Sequence, residues 1–234
     1  MSTITAVFAD AVSTRRESIE LIKWLGLAAM LTDHVGRFAL GIDSPLAETV
    51  GAFAFPLFAV ALAAALSDAP VTGWVHRKLL FWAVLSQLIV LLVREPLPLN
   101  ILFTFLLGLA AFQAEREHGF LAFLGILALG VFVEYGPFGV LFIYALRSSF
   151  FRRDPLDLVL AGIASLTFTP WNSGVVLAPV ALVLGLLLLR SPIGLPRAPG
   201  LFYRVYAYQW LFLWLASGLL ALSRGLLPYA SGVQ

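Results

Sequence analysis

The chain has 234 residues, 61% of them hydrophobic and 12% charged, with 15 basic against 13 acidic side chains. A soluble domain averages about 45–50% apolar and about 25% charged residues, so a water-soluble enzyme, a disordered chain and a secreted scaffold are excluded. The absence of cysteine removes disulfides and thiol nucleophiles.

The remaining class is an all-α, polytopic helical membrane bundle. The apolar runs are continuous rather than alternating, unlike those of a transmembrane β-barrel. A spanning helix needs about 20 mostly apolar residues. Nine stretches approach this: 19–40, 47–66, 76–94, 98–114, 119–134, 137–151, 156–170, 174–190 and 200–222. Turn-forming residues separate them, among them Asp43-Ser44-Pro45, Tyr135-Gly136-Pro137 and Arg153-Asp154-Pro155. The expected organisation is a cytoplasmic segment 1–18, one transmembrane domain 19–223 and a short tail 224–234. The first run keeps Lys23, Asp33 and His34 and is followed by no small-residue cleavage site, so it reads as an uncleaved span. With the N-terminus in the cytoplasm, twelve basic residues face that side and only Arg37, Arg94 and Arg224 face the other. This bias fits the positive-inside rule and an odd span count near nine.

Charged groups within a membrane are costly and are functional candidates by default. The first span ends in Thr32-Asp33-His34-Val35-Gly36-Arg37. At about 100° per residue, Asp33, His34 and Arg37 share one arc. Asp33 precedes Arg37 by four residues, the favourable order for an ion pair. Asp33 can thus be neutralised by Arg37, at a cost of about 3–5 kcal/mol for breaking the pair if it is fully buried. His34 is left to exchange protons near neutrality. In the second span Pro56 removes a backbone donor and frees a carbonyl one turn earlier. The fourth span carries Asn100, Thr104 and Gly108 on one narrow stripe. Such a stripe suits helix packing, and Asn100 and Thr104 are also candidate binding groups should it face His34. The last span opens with an aromatic run that includes Tyr206 and ends at Gln209 and Trp210. Arg204, Arg77, Lys78 and the group Arg147 to Arg153 form an expected cytoplasmic basic mouth. It suits anionic lipid headgroups and a phosphate-bearing cofactor equally. The chain offers no phosphate-binding glycine loop, no dinucleotide fingerprint and no zinc-protease motif. Neither a metal site nor a nucleic-acid partner is expected.

Several stretches together resemble the TraX family. They are Leu21-Ile22-Lys23-Trp24 through Thr32-Asp33-His34-Val35-Gly36, then Phe55-Pro56-Leu57-Phe58-Ala59, and Arg77-Lys78-Leu79-Leu80 leading to Ser86-Gln87. Leu99-Asn100-Ile101-Leu102-Phe103-Thr104 leading to Gly108 follows, then Tyr135-Gly136 leading to Gly139-Val140 and the aromatic opening of the last span. The resemblance implies N-acetylation of conjugative pilin, in a compact relative of multi-spanning acyltransferases that use acyl-CoA. By that likeness His34 is the base and Asp33 its neighbouring carboxylate. Acetyl-CoA is the donor, and a pilin or other small membrane peptide is the acceptor in a bacterial inner membrane. Arg37, Asn100, Thr104, Arg77, Lys78, Arg204, Tyr206 and Gln209 are the expected binding residues. One departure stands out: Ala207 and Gln209 occupy positions where the family is expected to carry Pro and His. Three other readings remain open: cyclisation of a pilin or peptide without CoA, a small proton-coupled transporter, and a non-catalytic pilus or secretion assembly factor.

Overall fold

A computed structural model describes residues 16–40, 45–67, 73–92, 96–167 and 177–223. The expectations for residues 1–15, Arg94 and the tail from Arg224 lie outside these. Every named element is helical. Helix α1 (Arg16–His34) passes directly into a π-helical segment, Val35–Ala39. The Leu40 amide there donates to the Val35 carbonyl at 3.0 Å, a five-residue step. The predicted second span becomes two helices, α2 (Pro45–Gly51) and α3 (Ala54–Ala65). Pro56 has no N–H with which to reach the Ala52 carbonyl, and the helix breaks at Ala52 and Phe53. It restarts with the Leu57 amide donating to Phe53 at 3.2 Å.

Helices α4 (Gly73–Val90), α5 (Ile101–His118) and α6 (Phe120–Leu129) follow. Asn100 caps α5, its Oδ1 accepting from the Leu102 amide at 3.0 Å. Gly119 at φ +84° supplies the turn into α6. After α6 comes a 3-10 turn, Gly130–Phe132. A two-bond bridge then ties the chain to the start of α5. The Leu99 amide donates to Phe132 and the Glu134 amide to Leu99, both at 2.8 Å. The remaining helices are α7 (Gly136–Arg152), α8 (Pro155–Ser165), α9 (Leu177–Leu188) and α10 (Leu201–Ser223). Asp154 caps α8 through the Leu156 amide at 2.9 Å.

The all-helical expectation therefore holds, and helices stand within each of the nine apolar stretches. The count of nine membrane crossings is a finer matter. Among the described residues, only Pro45–Ala65, at 21 residues, is both long and apolar enough for a crossing. Phe120–Phe132, Pro155–Ser165 and Leu177–Leu188 are shorter apolar helices.

Helix α3 lies at the centre, packed against α1, α7 and α9. Its alanines, Ala59, Ala61, Ala63 and Ala64, are buried. Small residues allow the close helix approach that membrane-type packing requires. Gly26 of α1 abuts the Phe58 ring, and Gly185 of α9 abuts Val60. Helix α10 returns along α4 and the π segment. Arg147, expected at the basic mouth, is instead fully buried. Its guanidinium lies 4.8 Å from the Phe112 ring and 5.0 Å from that of Phe151. Arg152 is paired with Glu115.

Candidate functional site

A cavity of about 1160 Å³ opens between α1, α3, α4, α5 and α10. Its charged lining is mainly acidic at one end and mainly basic at the other. Asp33, Arg37, Glu48 and Glu134 line one end, and Glu20, Lys23, Lys78 and Arg197 the other.

Asp33 and His34 close helix α1, and Arg37 projects from the π segment. Arg37 Nη2 lies 3.4 Å from Asp33 Oδ1 and 3.9 Å from Glu48 Oε1. The side chains are 42%, 20% and 31% exposed respectively, so this is a loose, partly solvated group rather than a buried ion pair. Gly51 makes the arrangement possible. A Cβ there would fall 2.5 Å from Asp33 Cβ and 2.9 Å from its Cγ. Helix α2 can therefore lie directly on Asp33 only with glycine at that position. The His34 ring packs against Trp210 of α10, with centroids 4.7 Å apart at 42°. Trp210 is buried, which fixes one side of the imidazole.

Tyr135 completes this end from the turn before α7. It sits at φ +65°, an uncommon conformation outside glycine. Its ring stacks on Phe55 at 4.0 Å and 12°. Gly139 leaves room for it, because a Cβ at 139 would lie 2.5 Å from that of Tyr135. Burial, and then the Glu134 and Asp33 carboxylates, hold the Tyr135 hydroxyl above its ordinary pKa. Thr104 donates its hydroxyl to the Glu134 carbonyl, holding that backbone beside the cavity.

The opposite end is assembled from α1, α4, α10 and the loop before α10. Lys23 pairs with Glu20 at 2.8 Å. The Lys78 ammonium lies 4.9 Å from the Trp74 ring and 5.3 Å from that of Tyr203. Arg197 arrives on a loop clamped to the start of α1. There Ser18 Oγ donates to the Ser191 carbonyl at 3.1 Å, and the Leu195 amide donates to Glu17 at 3.3 Å. Three cations with one carboxylate suit a multiply charged anion.

The two ends are joined by one face of α1. Lys23 and His34 are separated by eleven residues, which at 100° each returns almost to the same bearing, about 16 Å along the axis. The cavity thus sets a cationic group about 16 Å from an imidazole, with mostly apolar wall between.

Of the sequence-predicted residues, Asp33, His34, Arg37, Lys78 and Tyr206 line this cavity. Arg77 and Arg204 are exposed and lie outside the lining. Asn100 and Thr104 also lie outside it. Asn100 Nδ2 donates to Ala83 O, Ser86 Oγ and Gln87 Oε1 at 2.9–3.1 Å, joining α5 to α4. Gly108, the third member of that stripe, faces Ile143 of α7. Gln209 is buried beside Met30, its Nε2 3.5 Å from the thioether sulfur. Met30 rather than Gln209 meets the cavity. Sequence reasoning missed Glu20, Glu48 and Arg197, and did not assign Lys23 or Trp210 to a site. Lys23 was within reach, since an i, i+11 spacing from His34 marks one helix face. Among the described residues, no group of three or more His, Asp or Glu gathers to hold a metal ion.

The chain is thus a helical bundle around a cavity that is mainly cationic at one end and carries an imidazole among carboxylates at the other. The family model described as TraX protein matches residues 18–217, and the chain belongs to the TraX family. Membership fits a conjugation- and pilus-related role and is compatible with residence in a membrane. No curated protein and no solved structure matches the chain.

Proposed function

We propose that the chain is an inner-membrane N-acetyltransferase, which moves an acetyl group from acetyl-CoA to the N-terminal amine of a pilin. The observation that supports this is the single cavity joining Lys23, Lys78 and Arg197 to His34. At about 1160 Å³ it slightly exceeds the roughly 300–1,000 Å³ of most small-molecule sites, leaving space for a donor arm and the end of an acceptor. Between the inner phosphate of CoA and its sulfur lie about thirteen bonds, which at an extended reach of about 3.6 Å per three bonds span about 16 Å. That matches the rise from Lys23 to His34.

In this reading nine helices cross the bilayer with the N-terminus in the cytoplasm. The basic end opens to the cytoplasm, where acetyl-CoA is made, and the acidic end opens outward, where a pilin presents its N-terminus. Lys23, Lys78 and Arg197 hold the phosphates. Asp33, Glu48 and Glu134 attract the acceptor ammonium. The ammonium first sheds one proton to water at the outward opening, and His34 accepts a second proton as the amine nitrogen bonds to the thioester carbonyl carbon. The C–S bond then breaks, and His34 returns the proton to the departing thiolate. Trp210 restrains the ring, and the Arg37 guanidinium lies against the Asp33 carboxyl group beside it.

The deciding experiment is the mass of a pilin co-expressed with and without this chain. One added acetyl group is expected. Loss of one water would instead assign cyclisation, and an unchanged mass would remove covalent modification of pilin altogether.

A further inference from the structure

We infer that the basic end of the cavity is a nucleotide-headpiece site in which Glu20 reads the exocyclic amine of an adenine ring. The inference deepens the acetyl-CoA reading and rests on it only for the identity of the arm beyond the phosphates.

Glu20 is 6% exposed, lines the cavity and spends only one carboxylate oxygen on Lys23. Its Oε2 is buried and accepts no hydrogen bond among the described residues. A buried carboxylate oxygen without a donor costs free energy that a ligand N–H would recover. The surroundings name the kind of ligand that brings it. Lys23, Lys78 and Arg197 require negative charge alongside the donor, which phosphate supplies. Trp74 and Tyr203 line the same end and flank Lys78 with ring faces, a setting for a flat π system. Glu20 lies one helical turn beyond Lys23, on the side away from His34. A base positioned there continues outward from the phosphates, in the order base, phosphate, arm and reactive end that a CoA ester presents. A phosphoethanolamine headgroup shares the pairing of anion and N–H donor, but it has no ring for Trp74 and Tyr203.

The test titrates the full-length protein in detergent with adenosine 3′-phosphate 5′-diphosphate. It repeats the titration with the counterpart whose base carries hydrogen in place of the amine. The wild-type protein should prefer the amino form by about 10–100-fold, the range of one hydrogen bond to a charged group. Glu20→Met should bind both forms equally. Equal wild-type affinities, binding of neither form, or full discrimination in Glu20→Met would each overturn the inference. The wild-type pair decides the matter even if the variant fails to fold. Phosphatidylethanolamine that stays bound through purification, in a protein that binds neither nucleotide, would also overturn it by giving these groups to a lipid. Discrimination without acetyl gain on pilin leaves the headpiece site standing and defeats the transfer reading. Acetyl gain with equal affinities does the reverse.

Discussion

Gly51→Ala is the sharpest probe of how the acidic end is held together. The added methyl would lie 2.5 Å from Asp33 Cβ, whereas carbon atoms rest at about 3.5–4.0 Å. Helix α2 and the end of α1 must therefore separate by about 1 Å, or Asp33 must swing away from Arg37. Overpacking of this kind costs about 1–3 kcal/mol, and each kcal/mol lowers the midpoint by about 2–4 °C in a chain of this size. A fall of about 2–12 °C is expected in detergent. A displacement of 1 Å near reacting groups lowers turnover by about 10²-fold, read as acetylated pilin formed per unit time. Gly125→Ala in α6 is the matched control, because a Cβ there meets nothing within 4 Å. It should be neutral or up to about 1 kcal/mol more stable, through helix propensity alone. Indistinguishable behaviour of the two variants would refute the close contact between Gly51 and Asp33.

His34→Ala should lower acetyl transfer by about 10²–10⁴-fold with thermal unfolding little changed; full activity would remove His34 from the chemistry. Asp33→Asn should cost only about 0–1 kcal/mol of stability, since its pair with Arg37 is partly solvated; a loss of several kcal/mol in thermal unfolding would show the pair to be buried. Asn100→Ala should destabilise by about 1–3 kcal/mol by removing a cap and bonds to α4, with turnover at permissive temperature unchanged. The chain lacks cysteine, so single substitutions report sidedness: Leu97→Cys should label from outside intact spheroplasts and His118→Cys only after permeabilisation. Labelling of both from outside would break the nine-span arrangement.

The helices were legible in the sequence because long apolar runs leave a chain few alternatives to helix. Asp33, His34 and Arg37 were legible because charge is rare among such neighbours. The basic end was harder to read. Arg77, Arg147 and Arg204 resemble Lys78 in composition, yet only Lys78 meets the cavity. Arg147 turns inward onto Phe112 and Phe151, a fate set by long-range packing that no local spacing records. Arg197 depends on a loop docked to a residue 173 positions earlier in the chain, through Ser18 and Ser191. Asn100, Thr104 and Gly108 were read as one stripe, but Asn100 joins α4 while Thr104 and Gly108 meet Glu134 and Ile143, neighbours that only the fold supplies. Gly51 gave no sequence signal, because its role is the absence of a side chain opposite Asp33.

The π segment at Val35–Ala39 bears on how this chain tolerates changes of length. A π turn accommodates one residue more than an α turn of the same helix. Deleting a single residue from 35–39 can therefore convert the segment to ordinary α-helix while α1 before it keeps its bearing. The cationic group at Lys23 and the imidazole at His34 both lie before the segment, and their separation would not change. The stretch is where a residue can be lost without altering the measuring length before it.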